Sequence, residues 1–174
     1  MLVVEAAREA AVRTLEEHWD GTLPVDPISI AKELGIEVGF TRFDDELSGA
    51  IVADADKVQI LIAEHESITR QVFTCAHEIG HYMERLEAKD KEYSFQEPSG
   101  NAFRNGRGGE WDLHELYADE FAANVLMPAE RFIDLANQGV SVSDLATVFA
   151  VSRAAVQVRI RKFKAEGVLE SRSL

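Results

Sequence analysis

The sequence predicts an α+β fold: helices surrounding a small three-stranded β-sheet, with a helix-turn-helix-like segment at the C-terminal end. Two observations carry this. Apolar residues recur at helical spacing near the start of the chain and through its second half, whereas residues 36–63 hold three short strand-like runs bounded by turn residues. The 174 residues suffice for one compact domain with a real core, or for one domain with a small appendage.

Residues 2–19 read as a helix, because Leu2, Val3, Ala6, Ala10, Val12, Leu15 and Trp19 fall roughly on one face, and Gly21 closes it. Asp26-Pro27 is an N-cap followed by proline at the first helical position. The short helix it opens carries Ile28, Ile30, Ala31 and Leu34, with Gly35 as C-cap. Strands follow at Ile36–Phe43, Ser48–Ala53 and Lys57–Ala63, the last two joined by the turn Asp54-Ala55-Asp56. In the third, Val58, Ile60 and Ile62 alternate with Lys57, Gln59 and Leu61, as suits a half-covered strand.

A helix is expected over 67–86. Residues 87–110 are polar and hold Pro98, which reads as a long loop. A second helix spans 111–126, another runs from Pro128 to Gly139, and two short ones lie near 143–149 and 152–166. The expected division is a core of 1–140 and a C-terminal segment of 141–174 packed on it.

Composition narrows the function. The chain carries 18 basic and 31 acidic residues, net −13, and phosphate backbones repel such a body. No apolar run approaches the length of a membrane span. Glu5, Arg8 and Glu9 interrupt the start before a signal sequence develops, so a cytoplasmic location is expected. A single cysteine, Cys75, rules out an internal disulfide and reads as a small buried hydrophobe rather than a ligand.

The strongest chemical signal is His77-Glu78-Ile79-Gly80-His81. On a helix, residues four apart share a face, so both imidazoles can reach one Zn²⁺ at about 2.0–2.1 Å. Glu78 projects beside that position, where it can take a proton from the attacking water and pass it to a leaving amine. His-Glu-x-x-His on a helix is the zincin pattern, which makes the expected core a zincin-like helical domain. Val72, Phe73, Ala76 and Ile79 predict that the helix is buried, and buried histidines need partners. Gly80 costs a helix interior about 1 kcal/mol against alanine, which suggests a close approach there.

Zinc needs a third protein ligand, and residues 114–120 supply candidates. Glu115 and Asp119 share a face, which fits Glu115 as the ligand and Asp119 as an acceptor for a ligating histidine. Glu120, on a different face, and His114 are the alternatives. Tyr82, His114 and Tyr117 are candidates for a second oxyanion donor. An extended substrate would add to a sheet edge, expected at Lys57–Ala63.

Residues 70–82, RQVFTCAHEIGHY, and 115–128, ELYADEFAANVLMP, together resemble the two signature blocks of the ImmA/IrrE-type metallo-endopeptidases of bacteria and their mobile elements. Pro24–Gly39 and Ser48-Gly49-Ala50 resemble the family's upstream elements, and the similarity covers about residues 20–165. The resemblance implies His77, His81 and Glu115 as zinc ligands and Glu78 as the catalytic glutamate. It implies a helix-turn-helix transcriptional repressor as substrate, whose cleavage relieves repression in a stress response or mobile element. The rival reading, with the same site residues, is a non-proteolytic zinc-binding regulator or toxin–antitoxin component acting by protein–protein binding.

The C-terminal segment differs electrically from the body. Residues 141–174 hold six basic and three acidic residues, net +3, leaving −16 for the rest. Leu145, Ala146 and Phe149, then Val151-Ser152 as turn and N-cap, then Ala155, Val156 and Ile160 read as helix–turn–helix, with Arg153, Gln157 and Arg161 outward. Against so acidic a body this small excess favours a structural or partner-docking pair over a DNA reader. The sequence leaves the oligomeric state open.

Overall fold

A computed structural model describes residues 2–43, 47–54, 57–87 and 113–169. Among these the chain forms seven helices and one three-stranded sheet: α1 (Val3–His18), α2 (Pro27–Glu33), β1 (Ile36–Thr41), β2 (Gly49–Asp54), β3 (Lys57–Ala63), α3 (Ile68–Glu87), α4 (Leu113–Leu126), α5 (Ala129–Asn137), α6 (Val142–Val148) and α7 (Arg153–Ala165). The α+β class and the order of elements agree with the sequence reading. The predicted loop lies outside the described residues except for Glu87, the last residue of α3. Residues 55 and 56 of the predicted turn also lie outside them.

The helix ends follow their caps. Asp26 accepts a hydrogen bond from the Ile28 N–H at 2.9 Å, Ser141 from Asp144 at 3.2 Å and Ser152 from Ala155 at 3.1 Å. Between α6 and α7, Ala150 takes the left-handed conformation (φ 52°) that glycine adopts more readily.

The sheet order is β1-β3-β2, with β1 parallel and β2 antiparallel to β3. This corrects one expectation. Lys57–Ala63 is the central strand, bonded on both sides, and the edges are β1 and β2. The antiparallel neighbour follows from the short β2–β3 connection. The parallel neighbour pairs residues such as Ile36 and Val58, a register that local periodicity does not encode.

Two apolar clusters meet along α3 and α4. One joins Ala7, Ala10 and Ala11 of α1 to Ile30, Ile36, Ile60 and Ile62, and to Cys75, Ile79, Phe121 and Val125. The other joins Ala76, Ala122 and Leu126 to Phe132, Leu145, Phe149, Val156 and Phe163. Helix α3 thus has core on two sides, and Thr74 to His81 are all buried. At Gly80 an added Cβ would stand 2.9 Å from Ala118 Cα, so the missing side chain is what lets α3 and α4 approach.

Candidate metal centre

The α3–α4 contact determines the site. His77 and His81, one turn apart on α3, bring their Nε2 atoms to 3.1 Å. Glu115, in the first turn of α4, faces both rings: Oε2 lies 3.4 Å from His77 Nε2 and Oε1 3.3 Å from His81 Nε2. Among the described residues these three side chains form the group whose donor atoms converge closely enough to hold one metal ion, and all three are buried.

The donor set fits zinc. Tetrahedral bonds of about 2.0–2.1 Å hold neighbouring ligand atoms roughly 3.3–3.4 Å apart. The two Nε2 atoms lie 3.1 Å apart and each has its own Glu115 oxygen at 3.3 or 3.4 Å, separations close to those between neighbouring ligand atoms of one zinc ion. Two imidazoles and one carboxylate leave its fourth corner for the reaction.

Each donor is set by its surroundings. His77 Nδ1–H donates to Asp119 Oδ1 at 2.9 Å, which fixes the ring and turns the Nε2 lone pair toward the centre. Burial alone would lower the His77 pKa, but Asp119 and Glu115 outweigh it and push the value up to about 10. A metal ion and a proton therefore compete for one lone pair. Burial would raise the Glu115 pKa, yet His77 and His81 hold it down at about 2. Glu78, between the histidines in sequence, is fully buried, and its charge helps to favour protonated His77.

The alternative ligands lie elsewhere. Glu120 is buried but faces α1 and α7, where Arg8 Nε donates to it at 2.9 Å and Lys162 pairs with its other oxygen. His114 is exposed and lies 2.9 Å from Glu84. Tyr117 donates to Glu87 at 3.3 Å, and Tyr82 packs against the first apolar cluster. None of these side chains joins the converging group. Cys75 sits in the apolar core, where burial pushes its thiol up to about 12.

Two features escaped the sequence. Arg159, in a basic stretch that reads as a solvated face, is only 1% exposed. Its Nη2 donates to Asn124 Oδ1 and to the Met127 carbonyl, each at 2.9 Å, and its guanidinium lies 4.4 Å above the Phe163 ring centre. The adjacent Glu120–Arg8–Lys162 cluster ties α1, α4 and α7 together. The available signal was the helical spacing of Arg159 with the core residues Val156 and Phe163.

No curated protein matches the chain. A family model, Peptidase_M78, described as the IrrE N-terminal-like domain, matches residues 31–161. The match covers most of the chain, including α3, α4 and the residues His77, Glu78, His81, Glu115 and Asp119. The chain therefore belongs to the ImmA/IrrE family of metallopeptidases.

Proposed function

We propose that this chain is a zinc-dependent endopeptidase in which His77, His81 and Glu115 hold the metal and Glu78 is the proton carrier. The observation supporting it most strongly is the convergence of two imidazole nitrogens 3.1 Å apart with the two oxygens of one carboxylate, each 3.3–3.4 Å from one ring, with Glu78 next to His77 in the helix. Zinc, when bound, polarises a scissile carbonyl and acidifies a water. Asp119 keeps the His77 ring in the ligating tautomer. The Glu78 carboxylate takes the proton of the attacking water and delivers it to the leaving amine nitrogen. An extended substrate pairs with a sheet edge, and among the described residues β2 is the edge strand that packs against α3.

The substrate class follows from the family resemblance: a helix-turn-helix repressor, cleaved to relieve repression. We read residues 141–174 as a helix-turn-helix-like segment packed on the 1–140 core rather than as a DNA reader. One of its basic residues, Arg159, is committed to the interior, and the family match itself runs past residue 140. No described helix is long and apolar enough to cross a membrane.

The test pairs the wild-type chain with Glu78→Gln, each co-expressed with a helix-turn-helix repressor from the same genome. The reading expects cleavage by the wild type only, with equal zinc in both proteins. Cleavage by Glu78→Gln would remove the proposed role of Glu78. A repressor left intact by both, while the biological effect persists, would favour the non-proteolytic reading.

A further inference from the structure

A cavity of about 550 Å³ opens between the N-terminal half of α3, the middle of α4 and α7. It adjoins the metal centre directly. Asp119, which orients His77, lines it, and so does Phe73, whose ring centre is 6.1 Å from that of His77. Its wall is mostly apolar and includes Leu116, Ala123, Met127 and Val158. Its charged lining is Arg70, Arg159 and Lys162 against Asp119 and Glu120, a small positive excess in a chain of net charge −13.

These cations differ in how they are matched. Arg70 pairs with Glu66, and Lys162 with Glu120. Arg159 contacts only neutral oxygens through Nη2, while its Nε and Nη1 N–H groups find no acceptor among the described residues. A guanidinium 1% exposed, with two unanswered donors and no ion pair of its own among the described residues, favours an anion at the cavity it lines, beyond what the nearby Glu120 and Glu166 supply. An apolar wall with a few convergent charges is the usual make-up of a specific pocket.

We propose that this cavity is a specificity pocket for the polypeptide substrate, taking a large apolar side chain next to an acidic residue, with α7 supplying the wall and the positive charge. The inference rests on the peptidase reading, because it is the nearness of Phe73 and Asp119 to His77 that brings a substrate chain to the pocket. The C-terminal segment thereby takes part in selecting the substrate, beyond packing on the core.

The test is fluorescence anisotropy with labelled synthetic peptides that pair Leu or Phe with Glu, against matched peptides in which Glu becomes Lys, on the full chain loaded with zinc. Expected is binding of the Glu peptides and at least about tenfold weaker binding of the Lys peptides. Val158→Trp, at a partly exposed position where the fold tolerates change, should block the pocket and weaken the Glu peptides by a similar factor. Ala123→Leu, which fills it from α4, should do the same, with thermal melts confirming both folds. Equal binding of Glu and Lys peptides, no binding of either, or wild-type binding by both variants would overturn the proposal. Zinc content and hydrolysis are read separately. A chain that binds with this preference but never hydrolyses loses the peptidase reading and keeps the pocket, whereas hydrolysis without preference loses the pocket alone.

Discussion

Asp119 Oδ1 accepts a hydrogen bond from His77 Nδ1 at 2.9 Å, reaching from α4 to the back of a ring whose front belongs to the α3 pair. A carboxylate in that position orients a ligating histidine and raises its basicity. Asp119→Ala should therefore lower zinc affinity by about 10–100-fold while leaving the fold unchanged. Competition with a chromophoric chelator measures this, and an unchanged affinity would show that Asp119 merely decorates the surface.

Gly80→Ala sets two effects against each other. Alanine gains about 1 kcal/mol in helix propensity. The new Cβ would stand 2.9 Å from Ala118 Cα and 3.2 Å from both Ala118 O and Phe121 Cβ, two of these being backbone atoms that cannot swing aside. Overpacking of this kind costs about 1–3 kcal/mol and should win. Urea denaturation should show a net loss, together with weaker zinc binding because α4 carries Glu115. A gain in stability would mean that the two helices separate freely.

Burial by itself would raise the pKa of Glu120, but Lys162 and Arg8 hold it below the ordinary value of 4.5. A carboxylate with a lowered folded-state pKa adds stability that is complete above its unfolded value and disappears as pH falls through the folded one. Glu120→Gln should lose about 2–3 kcal/mol at neutral pH, somewhat less than a fully buried pair because Arg8 and Lys162 are part-exposed. The gap between variant and wild type should close on acidification below about pH 4.5. Parallel denaturation curves at pH 7 and pH 3 check both points, and a gap independent of pH would rule out the ionised pair as its cause.

Ala150 supplies a prediction of opposite sign. Its left-handed backbone (φ 52°) strains an L side chain, and glycine removes that strain at the expense of chain entropy. Ala150→Gly should raise stability by about 0.5–1 kcal/mol, read as a higher melting temperature with unchanged zinc content. A lower melting temperature would place the determinant of the α6–α7 turn elsewhere.

What the sequence revealed, and what it hid, divides along the range of the interactions involved. Asp26 and Ser152 cap helices through bonds to residues two or three positions away, so those starts were legible. His77 and His81 share a face by helical geometry alone, and Glu115 and Asp119 share another; the structure brings these faces together. Gly80 announced a close approach through its propensity penalty, and Ala118 is what approaches. The central place of Lys57–Ala63 was hidden, because its pairing with Ile36–Thr41 joins segments about twenty positions apart and leaves no local mark. The burial of Arg159 was hidden for a related reason. A basic residue amid basic residues reads as solvated until Asn124 and the Met127 carbonyl come from α4 and its C-terminal end to receive it.

The most direct measurement is X-ray absorption at the zinc edge of the purified, zinc-loaded chain, with zinc per chain determined on the same sample. The account predicts one zinc in a four-coordinate shell of nitrogen and oxygen at about 2.0–2.1 Å, with imidazole scattering from two histidines. Zinc and that signature should both be lost in His77→Ala and in Glu115→Ala. A thiolate sulfur neighbour at about 2.3 Å, which would have to come from the single cysteine Cys75, or a chain that never retains zinc, would contradict the assignment of His77, His81 and Glu115 as the metal centre.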